Sequence, residues 1–334
     1  MNSILLIAEI AQAHDGSLGI AHSYIEALAT TGVDVVKFQT HIAEAESSSH
    51  EQFRVNFSYE DNSRFDYWQR MEFNLKEWQE LKNHCDEVGL EFMSSPFSCA
   101  AVDLLEEVGV KRYKIGSGEL QNYLMLEKIA KTGKPIILSS GMSDWSELED
   151  TICFLKPYGN ELSLLQCTTA YPTQPQEWGL ATLSEMKKRF NVPIGFSDHS
   201  STPVAGIAAA ALGAEILEFH AVFDKTMFGP DAKASLTIQE IKRLVDGVKM
   251  VTTSLNSSYN KENSLKYSEL KTMFGKSLAV NKNLKKGHSI QVEDLESKKP
   301  GAMGIPAKEY NTIIGKKINC DLNRWDFLKE DFFD

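Results

Sequence analysis

The 334-residue chain lacks most of what would mark a secreted scaffold, a membrane protein or a nucleic-acid binder. Its five cysteines are scattered and odd in number, and none sits in a CxxC pair. That argues against a disulfide framework and against a zinc ribbon. No apolar run is long enough to cross a bilayer. The opening Met-Asn-Ser leads straight into a short apolar strand, without the basic segment and small-residue cleavage site of a signal peptide. The expectation is a reducing, cytoplasmic setting. Positive charge is also scarce, with 35 Lys and Arg against 46 Asp and Glu and a net of -11. Nucleic acid and anionic membrane are therefore poor partners. A small anionic substrate stays open, because a local ring of lysines and backbone N–H groups holds a phosphate whatever the global charge.

What the chain has is length and rhythm. Its residues are 42% hydrophobic, enough for a large core and two domains. Strand-like runs fall at 5–10, 35–40, 91–97, 112–118, 136–140, 162–168, 192–198 and 215–222. Amphipathic stretches lie between most of them, at 20–31, 75–88, 100–108, 124–131, 145–155 and 180–190. Alternating strand and helix units imply a parallel sheet. About eight units in roughly 250 residues is what a closed (β/α)8 TIM barrel needs, with an open doubly wound sheet as the alternative. Residues 41–70 are too long for an ordinary connection and suit a lid or binding loop. A helical pattern at 238–253 ends the barrel. The expected division is a barrel at 1–255, a polar linker at 256–266, and a small β-rich domain at 267–334.

Side chains alternate along a strand, so residues two apart share a face. Leu5, Ile7 and Glu9 share one, as do Val35, Lys37 and Gln39. Gly195, Ser197 and His199 share another, and so do Ile216, Glu218 and His220. Each set begins apolar or small and ends polar, while the opposite faces (Val36, Phe38; Leu217, Phe219) stay apolar. Polar groups thus gather at the carboxyl ends of many strands, where barrel enzymes place their chemistry.

A lone strand-end histidine is usually a hydrogen-bonded structural residue. His199 and His220 fall on neighbouring expected strands, ~5 Å apart, so their imidazoles can share one ion. With no obvious third protein ligand, most coordination positions are left to water and substrate. That suits Mn²⁺ or Mg²⁺ polarising a carbonyl better than a closed zinc site. "YKIGSGEL" pairs Lys114 with a Gly-Ser-Gly turn. It reads either as a strand-ending turn with a solvated lysine, or as an anion cradle in which Ser117 donates and Lys114 neutralises. Lys37 and Gln39 at another strand end favour a phosphorylated or carboxylated substrate. A Schiff base on Lys114, as in barrel aldolases, is the competing chemistry.

The motifs "AEIAQAHDGSLGIA", "VVKFQTHIAEAESS", "FMSSPFS", "YKIGSGELQNY", "ILSSGM", "CTTAYPT", "FSDHS" and "ALGAEILEFHAV" with "GPDAKAS" follow one another along the chain. In that order they resemble the sialic acid synthases of the nonulosonate synthase family. The tail "KSLAVNKNLKKGHSIQVEDLESKKPGAMGI" resembles that family's antifreeze-like (SAF) domain. The resemblance covers nearly the whole chain. It implies condensation of phosphoenolpyruvate with an N-acyl mannosamine-type sugar and release of phosphate, with the legionaminate and pseudaminate branches as alternatives. It makes His199 and His220 the ligands of a divalent ion, with Mn²⁺ expected and Mg²⁺ or Co²⁺ as alternatives. Lys37, Lys114, Ser117 and Ser197 match positions that hold phosphoenolpyruvate, with Ser95 and Ser139 at further pocket positions. Glu9, Tyr171 and Asp231 match sugar-contacting or acid–base positions, Gln39 joins the substrate side, and Glu119 matches a carboxylate beside the reacting carbons. The lysines then act as charge clamps, and a Schiff base is not needed.

Three departures stand out. Ala13-His14-Asp15-Gly16 replaces Asn-His-Asn-Gly, Thr169 replaces an Asn and loses its carboxamide, and Lys299-Pro300-Gly301 replaces Arg-Pro-Gly. The family's arginine reaches a partner subunit's site, so the resemblance implies a domain-swapped homodimer with Lys299 on the sugar's N-acyl group. An ice-binding role for the tail is argued against by the lysine-rich "NLKKGHS". Asp198, on the opposite parity from His199, reads as structural, a cap for the following helix.

Overall fold

The structure is a computed structural model that describes residues 4–55, 57, 59–259, 261–262 and 264–334. The β-branched and aliphatic runs form eight parallel strands: β1 Leu5–Ala11, β2 Val35–Thr40, β3 Glu91–Pro96, β4 Tyr113–Ile115, β5 Ile136–Ser139, β6 Leu162–Cys167, β7 Ile194–Asp198 and β8 Ile216–Val222. Each pairs with the next in the chain, and β8 pairs back onto β1 from Leu5↔Ile216 to Glu9↔His220. That last pairing closes the barrel and removes the open-sheet alternative. Eight helices, from Leu18–Ala29 to Ile238–Asn256, return the chain on the outside. Several begin at a residue whose side chain and a partner three places on satisfy each other's free N–H groups. Asn74 with Glu77, Asp144 with Glu147 and Thr237 with Glu240 do so.

Alternation along the strands sorts the interior into layers. Ile7, Val35, Met93, Ile137, Leu165 and Ile216 form a buried plug inside the barrel. Burying each such side chain contributes about 1.5–3 kcal/mol. Gly195 has no side chain because the plug leaves no room for one. A Cβ there would lie 2.4 Å from the Ile216 carbonyl oxygen and 2.5 Å from Leu165 Cδ2. Two residues beyond the plug the same face carries Glu9, Lys37, Ser95, Ser139, Cys167 and Glu218, all buried. The opposite faces, including Ala8, Val36, Phe38, Leu217 and Phe219, pack in the main core with the helices.

Two segments differ from the sequence expectation. The fourth strand stops at Ile115, and Ser117–Glu119 turn as a short 3-10 helix instead of extending to 118. The long connection after β2 is not loop alone. It contains helices Ala43–Glu46 and Arg64–Met71 and its own apolar cluster of Ala43, Tyr67, Trp68 and Met71.

The chain divides into two units, Met1–Ser257 and Ser258–Asp334. The second holds a two-stranded antiparallel sheet, Ser277–Val280 with Leu295–Lys298. Its core includes Leu278, Val280, Ile290, Ile313, Ile318 and Leu328. All five cysteines are unpaired. Among the described residues no helix is long and apolar enough to cross a membrane.

Candidate active site

A cavity of about 450 Å³ is lined by the polar groups that the strands carry beyond the plug. Register places Glu9 beside both Lys37 on β2 and His220 on β8. Lys37 pairs with Glu9 and donates to Ser95 Oγ at 3.2 Å. On the other side Lys114 Nζ lies 3.0 Å from Glu218 Oε1, which also accepts from Ser197 Oγ at 3.0 Å. Lys37 Nζ stands 3.9 Å from Glu218 Oε2. Burial alone would push the Glu218 carboxyl up, but the Lys114 and Lys37 charges outweigh it and hold it below the usual carboxylate range. The floor is therefore a buried cluster of charges, two lysines around two carboxylates. Glu218 Oε2 and Ser139 Oγ are buried here with no hydrogen-bond partner.

His199 and His220 face each other across 5.2 Å between ring centroids. Burial pushes both imidazoles below the usual histidine range, so both are neutral. His199 Nδ1 lies 3.0 Å from the Thr168 carbonyl oxygen. A neutral ring there donates from Nδ1 to the carbonyl and leaves the Nε2 lone pair free to take an ion. Among the described residues no cluster of three or more His, Cys, Asp or Glu is set to hold an ion. The donor set fits an ion with two protein ligands and its other positions open to substrate.

Ser117 Oγ lies 3.7 Å from Cys167 Sγ. A Cβ on Gly141 would lie 2.5 Å from Thr169 Oγ1 and 2.6 Å from Ser117 Oγ. Glycine thus keeps this recess open. Glu119, on the turn after β4, accepts from Asn122 Nδ2 at 2.8 Å, and burial pushes its carboxyl up. Tyr171 lies 4.2 Å from the His199 ring and under the Arg54 guanidinium at 4.1 Å. Arg54 in turn holds Asp231 at 2.8 Å. Gln39 Nε2 donates to Glu9 Oε1 at 3.0 Å.

Residues 24–261 match the model of the NeuB family, and residues 275–332 match that of the SAF domain. The chain belongs to the NeuB family. It is 36% identical to the N,N'-diacetyllegionaminic acid synthase of Campylobacter jejuni, over 99% of this chain and 100% of that protein. It is 32% identical to the N-acetylneuraminate-9-phosphate synthase of Homo sapiens, over 98% of this chain and 92% of that one. The crystal structure of an N-acetylneuraminic acid synthetase from Leptospira borgpetersenii, in complex with citrate, aligns with a TM-score of 0.71. The two share 29% identity, with 81% of this chain and 91% of that one covered. As a NeuB-family member the chain is an enzyme of the nonulosonate synthases, with the barrel and SAF domain that its motifs predict.

In this NeuB chain the expected barrel residues all line the one cavity, from Glu9 and Lys37 to His220 and Asp231. Lys299 lies in the second unit, with its Nζ 5.1 Å from the Phe274 ring. Asp198 does not cap the following helix. Its oxygens accept from Ser200 N at 2.8 Å and Ser200 Oγ at 2.9 Å, while Thr202 caps Pro203–Ala211. Burial pushes the Asp198 carboxyl up to about 6. The sequence reading missed the wall contributed by His41, Glu46, Glu51, Arg54, Arg64 and Trp68. It also assigned no role to Glu218, although the alternation had put that residue on the face of His220.

Proposed function

We propose that the chain condenses phosphoenolpyruvate with the open-chain form of an N-acyl mannosamine-type aldose, giving a nine-carbon 2-keto acid and phosphate. The observation that carries this reading is the division of one cavity. Two buried lysines converge on Glu218 at one side, and two neutral imidazoles stand together at the other. Lys37 and Lys114 balance the phosphate and carboxylate, and the hydroxyls of Ser95, Ser117, Ser139 and Ser197 donate to their oxygens. An ion held by His199 and His220, Mn²⁺ first and Mg²⁺ or Co²⁺ as alternatives, supplies Lewis-acid polarisation of the sugar aldehyde when bound.

The C3 carbon of the enol bonds to the aldehyde carbon, whose oxygen takes a proton and becomes a hydroxyl. Water adds at C2 and gives up its proton. The C2–O bond to phosphate then breaks, the C2 hydroxyl gives its remaining proton to the departing phosphate, and the ketone is left. Glu119, whose carboxyl burial favours in the protonated form, and Glu9, linked to Gln39, are the carboxylates assigned to move these protons. Gln39, Thr169, Tyr171 and Asp231 form the sugar side. The resemblance supports a domain-swapped homodimer in which Lys299 meets the N-acyl group of a sugar bound by a second copy. Five unpaired cysteines support a cytoplasmic setting.

Purified protein given phosphoenolpyruvate, N-acetylmannosamine and Mn²⁺ is expected to release one phosphate per keto acid formed. Borohydride is expected to trap nothing on Lys114. No phosphate release with any N-acyl hexose overturns the reading. A second reading takes a 2,4-diacetamido-2,4,6-trideoxy hexose of the legionaminate or pseudaminate branch. The full-length likeness to a legionaminic acid synthase supports it. Comparing kcat/KM on the two sugars separates them.

A further inference from the structure

Glu46 ends the short helix Ala43–Glu46, and its side chain reaches the cavity wall. Its Oε1 lies 2.6 Å from His41 Nδ1. The His41 ring is clamped between Trp68 and Phe97, whose centroids are 3.7 and 4.4 Å away. His41 Nε2 lies 3.0 Å from the amide nitrogen of Gln12 and 3.2 Å from the amide oxygen of Gln39. Whichever of these Nε2 serves, the contact with Glu46 is made by a proton on Nδ1, which the carboxylate accepts. One oxygen remains. Glu46 Oε2 is buried without a hydrogen-bond partner, in a side chain only 8% exposed. An acceptor buried in that way costs free energy until a donor arrives, and Glu46 is part of the cavity lining.

The surrounding charge decides what kind of group brings that donor. The cavity wall carries six carboxylates against four lysine and arginine side chains. Each of those cations already faces a carboxylate. Lys37 and Lys114 face Glu9 and Glu218 on the floor. Arg54 faces Asp231 at 2.8 Å, and Arg64 Nε lies 3.4 Å from Glu51 Oε1 without a hydrogen bond. A phosphoenolpyruvate anion takes up what positive charge the floor offers. A second phosphate brought to the rim meets Glu46 and Glu51, and every cation of the cavity wall among the described residues already stands beside a carboxylate. A hydroxyl or an amide N–H, by contrast, satisfies Glu46 Oε2 at no electrostatic cost.

Resting on the condensation reading above, we propose that Glu46 is a specificity-determining residue that accepts a hydrogen bond from the second substrate. That substrate is a neutral N-acyl amino sugar and not a sugar phosphate. Condensation adds three carbons at the aldehyde, so C6 of the sugar becomes C9 of the product. The chain therefore makes the acid without a phosphate at C9.

The test is initial rates with phosphoenolpyruvate and Mn²⁺ on three sugars: N-acetylmannosamine, its 6-phosphate, and 2,4-diacetamido-2,4,6-trideoxymannose. The better neutral sugar is expected to exceed the 6-phosphate in kcat/KM by about 100-fold, the scale of a lost charged hydrogen bond plus like-charge repulsion. Glu46→Gln is expected to raise the KM of that neutral sugar about 10-fold, leave the KM of phosphoenolpyruvate within about twofold, and narrow the discrimination. Glu46→Asp, which keeps the charge, recovers part of the loss. Preference for the 6-phosphate overturns the proposal, as does an unchanged sugar KM in folded Glu46→Gln. If that variant does not fold, the wild-type comparison of sugars still decides. No phosphate release from any sugar removes the condensation reading itself, a different failure from turnover with the wrong sugar.

Discussion

The floor of the cavity and its rim are built by different rules. Floor groups stand on strands, one register step above an apolar plug, and their ion pairs are buried at 2–5% side-chain exposure. Rim groups come from the helices and turns after β2, and aromatic faces hold them: Trp68 and Phe97 on His41, Trp68 under Arg64. The sheet holds the buried lysines and carboxylates and the paired imidazoles, the groups that the proposed reaction assigns to a phosphate and an ion. The inserted segment carries Glu46, the residue proposed to select the sugar. On the proposed reaction, chemistry and sugar choice would thus be stored in separate parts of one domain.

That separation can be broken from either side. Lys114→Met leaves Glu218 with Lys37 alone, and kcat/KM is expected to fall about 10³-fold or more in steady-state assays. A loss under tenfold would mean the floor is not the anion site. Chelation with EDTA is expected to cost about 10³-fold in phosphate release, with recovery on added Mn²⁺ in the wild type and none in His199→Ala. Activity indifferent to chelator would return the chemistry to the lysines. Gly195→Ala forces a Cβ into the plug and is expected to lower stability by about 1–3 kcal/mol in urea unfolding. An unchanged midpoint would show that the plug has slack. The smallest effect is expected at the rim. Trp68→Leu frees the His41 ring and should raise the sugar KM about 3–10-fold while that of phosphoenolpyruvate holds. If both rise together, floor and rim are one unit after all.

The same difference explains how much could be read from the sequence. Period-two alternation is a property of strands, so Glu9, Lys37, Ser197, His199 and His220 were legible as one polar face. Glu218 was legible in position but not in purpose, because its meaning depends on Lys114 arriving from four strands away along the chain. The rim had no such periodicity. Nothing in "HIAEAESS" announces that His41 lies flat between two rings from residues 68 and 97. One sign was present: Ser63 followed by Asp66 is a helix start, and it places Arg64 and Trp68 on an ordered helix. Asp198 misled because an aspartate before a helix usually caps it. Here it closes the turn through Ser200 and leaves the cap to Thr202.

The pairing of β8 with β1 has a further consequence for how the enzyme comes into being. Glu9 lies on the first barrel strand and His220 on the last, yet the two are register partners. During synthesis more than two hundred residues separate their emergence. Until the final strand docks, β1 is an unprotected edge, the Lys114 charge has no Glu218, and half of the imidazole pair does not exist. Turnover in this molecule therefore reports ring closure, and a nascent or clipped barrel short of residue 222 is expected to be inert rather than partly active.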